Sequence, residues 1–169
     1  IASIYHIVSH AATKSLLFVS ASGITDASGK STDFFDLTGA GYRNKVAGVA
    51  FTVGSLSMVG VPMFSGFISK LLFAQAGIGV GSMKKLLPTL LALAVSTILN
   101  AVYFMKTVIR IYTPDKTRTA GKKECRKILM KDEPLKAATL ICFIVLNILL
   151  GLCSEPVIRL IESGLGMFK

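Results

Sequence analysis

Charge is what this sequence has least of: 17% of its 169 residues are Asp, Glu, Lys or Arg, and the mean hydropathy is +0.64. So little charge over this length excludes an ordinary water-soluble domain. Residues 46–69, 86–105 and 137–154 carry none at all. Cysteine is scarce as well. Cys125, Cys142 and Cys153 form no CxxC pair and two of them stand in an apolar run, which argues against a disulfide framework or a metal cluster. There is no ligand set for iron–sulfur, haem or flavin, so no cofactor is expected and the chain would carry no redox centre of its own. The formal charge of +10 comes without a nucleic-acid-binding motif or aromatics interleaved among the basic residues. That excludes nucleic acid as a partner and leaves membrane orientation and anionic headgroups to explain it. An initiating Met and a signal-peptide pattern are also lacking, and the chain opens inside an apolar segment, so a fragment of a longer protein is expected.

What is present reads as an all-α polytopic transmembrane helix bundle of about five spans, each needing about 20 apolar residues. The expected spans are 1–25, 46–61, 60–81, 83–112 and 134–156, with turn formers and mixed charges in 26–45 and a short interfacial helix after 156. Segment 46–61 is rich in Gly and Ser, which lets helix backbones approach closely in lipid. In 60–81, Gly60, Pro62 and Gly66 interrupt the helix. Such a break is tolerated in a membrane only where protein or water satisfies the freed backbone groups, and it marks transport sites.

Seven of the 19 basic residues fall between Lys116 and Lys131. Loop 26–45 balances Lys30, Arg43 and Lys45 with Asp26, Asp33 and Asp36, so the more basic loop is expected to be cytoplasmic. Counting back the four spans that precede this loop puts residue 1 on the cytoplasmic side. The organisation expected is a channel repeat over 1–112, a basic loop over 113–133, and a last span with its tail over 134–169.

The buried ionisable groups carry the functional reading. His6, His10 and Lys14 follow one another at four-residue intervals, so on a helix they lie within about 80° of one another along a stripe of about 12 Å. A charged side chain at mid-bilayer costs from about 2.5 kcal/mol on insertion scales to about ten or more in simulations, and its default reason is an ion or proton path. Imidazoles titrate near neutrality and an ammonium in low dielectric releases its proton more readily, so such a series suits protons. Ser3, Ser9, Thr13 and Ser15 add hydroxyls able to hold water. Lys70 stands in the interrupted segment, where an ion path or, at a span end, snorkelling would account for it. "HIVSH" lacks the Glu of HExxH and a carboxylate third ligand, so no metal is expected. Lys106 and Arg110 read as snorkelling residues, and Asn100 and Asn147 as interhelical contacts.

The pattern HxxxHAxxKxLLF over 6–18, followed about fifty residues later by "GVPMFSGFISK" over 60–70, resembles the antiporter-like membrane subunits. These are the large proton-channel subunits of respiratory complex I, their counterparts in membrane-bound hydrogenases and formate hydrogenlyase, and subunits of Mrp-type cation/proton antiporters. The resemblance implies two inverted repeats, each with a discontinuous helix, of which this chain would hold most of the second together with the last span. It implies that Lys14 is the central channel lysine, that His6 and His10 are relay residues beside it, and that Lys70 is the lysine of the second broken helix. Some members carry Glu there, so Lys70 makes the chain more similar to the distal subunits.

The function expected is therefore that of a proton-translocating subunit, itself without redox chemistry, in a larger NADH:quinone oxidoreductase-like or hydrogenase complex. An Mrp-type antiporter subunit, with Na+ as the exchanged ion, is the alternative, and a non-conducting membrane scaffold is the alternative of another class. Other membrane subunits and the lipid bilayer are the expected partners, in a prokaryotic plasma membrane.

Overall fold

A computed structural model describes residues 1–79, 81, 83–114 and 133–167. Among them are seven helices and no strand: α1 (Ala2–Ala27), α2 (Ala40–Arg43), α3 (Lys45–Val59), α4 (Ser65–Gly79), α5 (Met83–Tyr112), α6 (Pro134–Leu152) and α7 (Ser154–Gly166). The core of the basic loop, 115–132, lies outside the described residues, and the calls on Lys116 to Lys131 and Cys125 lie there with it.

Helices α1, α5 and α6 are each long and apolar enough to cross a membrane. α3 and α4 have 15 residues each, about 22 Å of helix against a hydrocarbon layer of about 30 Å. They are two halves of one crossing that runs antiparallel to α1. Asn44 at the start of α3 bonds Gly23, Gly54 meets Leu17, Thr13 meets both Ser57 and Ser65, and His6 reaches Ser69 and Phe73 in α4. α5 returns along the same path, with Tyr112 over Gly41 and Gly48, Phe104 on Phe51, Asn100 beside Met58 and Thr97 beside Lys70. α6 runs antiparallel to α1, from the Lys136–Asp26 ion pair, through Asn147–Thr13, to Leu150–Tyr5.

The region 46–81 thus contributes one interrupted crossing where its sequence suggests two spans. The reason is that the break falls half-way, so neither half is long enough alone. The polarity of the chain changes accordingly. α1 and α5 point the same way, so residue 1 lies at the end of the bundle opposite Thr113, not on the same side as the span count implies. Loop 26–45 shares its end with Tyr112 and Glu133. There the cations find local partners: Arg43 donates to the carbonyls of Ala27 and Thr38, and Lys106 and Arg110 lie over the Phe34 ring at 5.6 and 5.5 Å. Arg110 also donates to the Phe34 carbonyl, so both side chains are tied to the loop rather than extended freely into headgroups.

Sequence dictates two of the helix starts. Asn44 caps α3 by accepting from the Ala47 N–H while its amide donates to Gly23, stitching the cap to α1. Pro134 opens α6, where its missing N–H is no loss. Pro88 falls in the second turn of α5 without ending it. α7 buries none of its residues.

The interior divides in two along its length. Beside α3 it is apolar, with Leu16, Leu17, Ile24, Ala47, Phe51, Phe104, Ile111 and Leu140 in contact. Beside the break and α4 it is hydroxylic and basic. The outer side of α5 exposes Leu91, Ile98, Leu99, Val102 and Ile109, as lipid-facing residues do.

Candidate functional site

α3 ends in a Schellman motif: Gly60 takes a left-handed conformation (φ 90°), its N–H reaches the Ser57 carbonyl and the Val61 N–H reaches that of Leu56. The next two carbonyls, Met58 and Val59, have no helical donor. The residue four beyond Met58 is Pro62, which has no N–H, and the backbone does not resume a helix until Ser65. In hydrocarbon such groups need partners. Lys70, in α4, supplies them: its Nζ donates to Val59 O at 2.6 Å and to Met58 O at 3.3 Å, and to Thr97 Oγ1 of α5 at 2.8 Å. The ammonium therefore sits on the negative end of the α3 dipole. Asn100 Nδ2 adds a second donor to Met58 O at 3.3 Å.

The break is held from its other side by hydroxyls. Ser57, Ser65 and Thr13 form a triangle with edges of 3.3 to 3.4 Å. Asn147 of α6 joins it, donating to Thr13 at 2.8 Å and accepting from Ser65 at 3.2 Å. All four side chains are buried. Ser57 Oγ also accepts the Gly66 N–H at 3.2 Å, and a Cβ on Gly66 would run into the Ser57 carbonyl. Gly151 of α6 is held to the same standard by the Met63 carbonyl. No buried side-chain nitrogen or oxygen among the described residues lacks a partner.

The imidazoles lie on the α1 face toward α4. His6 Nδ1 is 2.6 Å from Ser69 Oγ, the donor of the two following from the ring tautomer, and its ring packs edge-on against Phe73. The His10 ring stands 5.3 Å from that of His6. His6, His10 and Lys70 line one cavity of about 160 Å³ together with Ser9, Thr13, Ser57, Ser96 and Asn100. That is room for several waters among polar partners. Lys14 stands one helical turn beyond His10. It is half-buried, does not line the cavity and makes no hydrogen bond among the described residues.

Of the residues singled out by sequence, the structure gathers His6, His10 and Lys70 around one space, puts Gly60, Pro62 and Gly66 in or beside the interruption, and leaves Lys14 apart. Asn100 and Asn147 make interhelical bonds. Ser57, Ser65, Ser69 and Thr97 went unnoticed in the sequence. Their signal was the density of small hydroxyls on both flanks of the break, "SLS" before it and "SGFIS" after it.

Residues 1–98 match the family described as NADH:quinone oxidoreductase/Mrp antiporter, TM. The chain is 32% identical over 83 residues to NADH-quinone oxidoreductase subunit N 1 of Sorangium cellulosum, covering 49% of this chain and 16% of that protein. It is 23% identical over 146 residues to NADH-quinone oxidoreductase subunit N of Rhodococcus opacus, covering 86% of this chain and 25% of the other. To Na(+)/H(+) antiporter subunit A1 of Staphylococcus epidermidis it is 29% identical over 154 residues, covering 83% and 18%. The chain thus spans a quarter or less of the length of these relatives. No solved structure matches it. With more than half of its length matched, this helical membrane chain belongs to the NADH:quinone oxidoreductase/Mrp antiporter transmembrane family.

Proposed function

We propose that the chain supplies part of a proton path in a complex I-like membrane subunit, with Lys70, His10, His6 and Lys14 as the groups that accept and release protons. One observation carries this reading: two imidazoles and an ammonium, His6 exposed and His10 and Lys70 half-buried, share a cavity with room for several waters beside a helix break in a membrane helix bundle. Ionisable groups so placed are costly in a membrane and belong to ion and proton routes. Ser9, Thr13 and Ser96 line the cavity and their hydroxyls can donate and accept, so they can align waters between the bases. Lys14, one turn further along α1, continues the path toward the opposite end of the bundle through water or a side-chain swing.

On this reading the chain does no redox chemistry. Its partners are other membrane subunits and the lipid bilayer, and a charge moved near Lys14 or Lys70 by those subunits drives proton uptake and release. The end carrying Lys30, Arg43, Lys45, Lys106, Arg110 and Lys136 is cytoplasmic by the positive-inside rule. The bacterial sources of the relatives favour a prokaryotic plasma membrane. The test is Lys70→Ala, His10→Ala and Lys14→Met in the full-length protein within its complex, reconstituted in liposomes. Each is expected to remove most proton flux; full flux in Lys14→Met or Lys70→Ala would sink the proposal and leave a scaffold role.

The similarity to a Na(+)/H(+) antiporter subunit over 83% of this chain favours a second reading, exchange of protons for a monovalent cation. Sodium-dependent proton movement in vesicles given no electron donor selects it over the redox-driven pump.

A further inference from the structure

The oxygens around Lys70 form more than a lysine contact. Met58 O and Val59 O are left without backbone donors by Pro62 and by the interruption, so they converge on one point beyond the end of α3. Thr97 Oγ1 is oriented as well: its proton is committed to the Leu93 carbonyl at 2.8 Å, so only lone pairs face the same point. Three oxygens are therefore held by a helix end, a proline and a hydrogen bond, none of which depends on Lys70. The ammonium nitrogen completes them at 2.6, 2.8 and 3.3 Å.

We infer that these three oxygens are a monovalent alkali-cation site for which the Lys70 ammonium is a tethered occupant. The donors are neutral and the field is that of one helix C-terminus, worth about half a negative charge, which suits a single positive charge and not two. No carboxylate lines the adjoining cavity, as a divalent ion would require. Carbonyl and hydroxyl oxygens at a half-helix end are the ligand type that replaces the hydration shell of such ions in membranes. The cavity on the His6 and His10 side gives the ion a hydrated approach, and Ser96 and Asn100 on its wall stand near enough to hold accompanying water. A cation and the lysine cannot occupy the site together, so occupancy by the ion requires Lys70 to be swung away or absent.

This site rests on the cation-exchange reading and names where its ion would bind; binding is read at equilibrium with no gradient, so its failure is distinct from a loss of proton flux. The experiment measures binding of 22Na+ and of 86Rb+ to the full-length protein at constant ionic strength with choline as the balancing ion. Wild type, Lys70→Ala, Lys70→Ser and Lys70→Ala/Thr97→Val are compared. Saturable binding in Lys70→Ala or Lys70→Ser above that of wild type is expected, weakened about tenfold or more by Thr97→Val. NaCl or RbCl should also raise the melting temperature of the Lys70 variants more than that of wild type, which reads the site even if those variants fold poorly. The inference is overturned if both Lys70 variants bind neither ion beyond wild type, or if Thr97→Val leaves the binding of Lys70→Ala unchanged.

Discussion

Asn147 Nδ2 donates to Thr13 Oγ1 at 2.8 Å, joining α6 to α1 across 134 positions of chain at the level of the helix break. Through Ser65, the same amide also holds the first turn of α4. Asn147→Leu removes both bonds and leaves two buried hydroxyls short of a partner. A loss of about 1–2 kcal/mol is expected, in the upper range for interhelical hydrogen bonds in membranes. Thermal unfolding of the full-length protein in detergent checks it; an unchanged midpoint would mean that the amide is only a spacer.

Two glycine-to-alanine changes should differ in sign. At Gly66 a methyl collides with the Ser57 carbonyl, so the two halves of the broken crossing must separate, at an expected cost of about 1–3 kcal/mol. At Gly164 in α7 nothing lies within 4 Å, and alanine should stabilise that helix by up to about 1 kcal/mol. Protease susceptibility and melting temperature distinguish them.

Ser69 is a positioning residue, since its hydroxyl touches His6 and it does not line the cavity. Ser69→Ala should slow proton flux severalfold in the reconstituted complex with little change in melting temperature. Ser69→Thr keeps the hydroxyl and should restore the rate. Equal rates in wild type and Ser69→Ala would remove Ser69 from the path.

At the opposite end, Phe34 lies under both Lys106 and Arg110. Phe34→Leu keeps apolar bulk and deletes the ring face, and should destabilise by about 0.5–1 kcal/mol per exposed cation contact. A double-mutant cycle with Arg110→Gln measures the coupling; a coupling near zero would show that the cation gains nothing from the ring.

The helical class, the membrane setting and the interruption near Pro62 were legible because each rests on local properties. Apolar run length, charge-free windows, and a proline beside glycines act over a few residues. The ionisable stripe on α1 was legible for the same reason, since a four-residue repeat fixes a helix face whatever packs on it. The crossing count was not. Whether 46–61 and 60–81 stack end to end or side by side depends on which neighbours they meet, and that pairing with α1 and α5 also reversed the expected side of residue 1.

By itself, then, the sequence determined which segments are helical and apolar, where the backbone must break, and which ionisable groups stand within apolar segments. Tertiary structure alone decided that Lys70 turns back onto the carbonyls of Met58 and Val59, that a hydroxyl triangle and Asn147 brace the break, and that Lys14 stays outside the cavity its neighbours share. Those outcomes depend on distances between residues up to 134 positions apart, which no local pattern encodes.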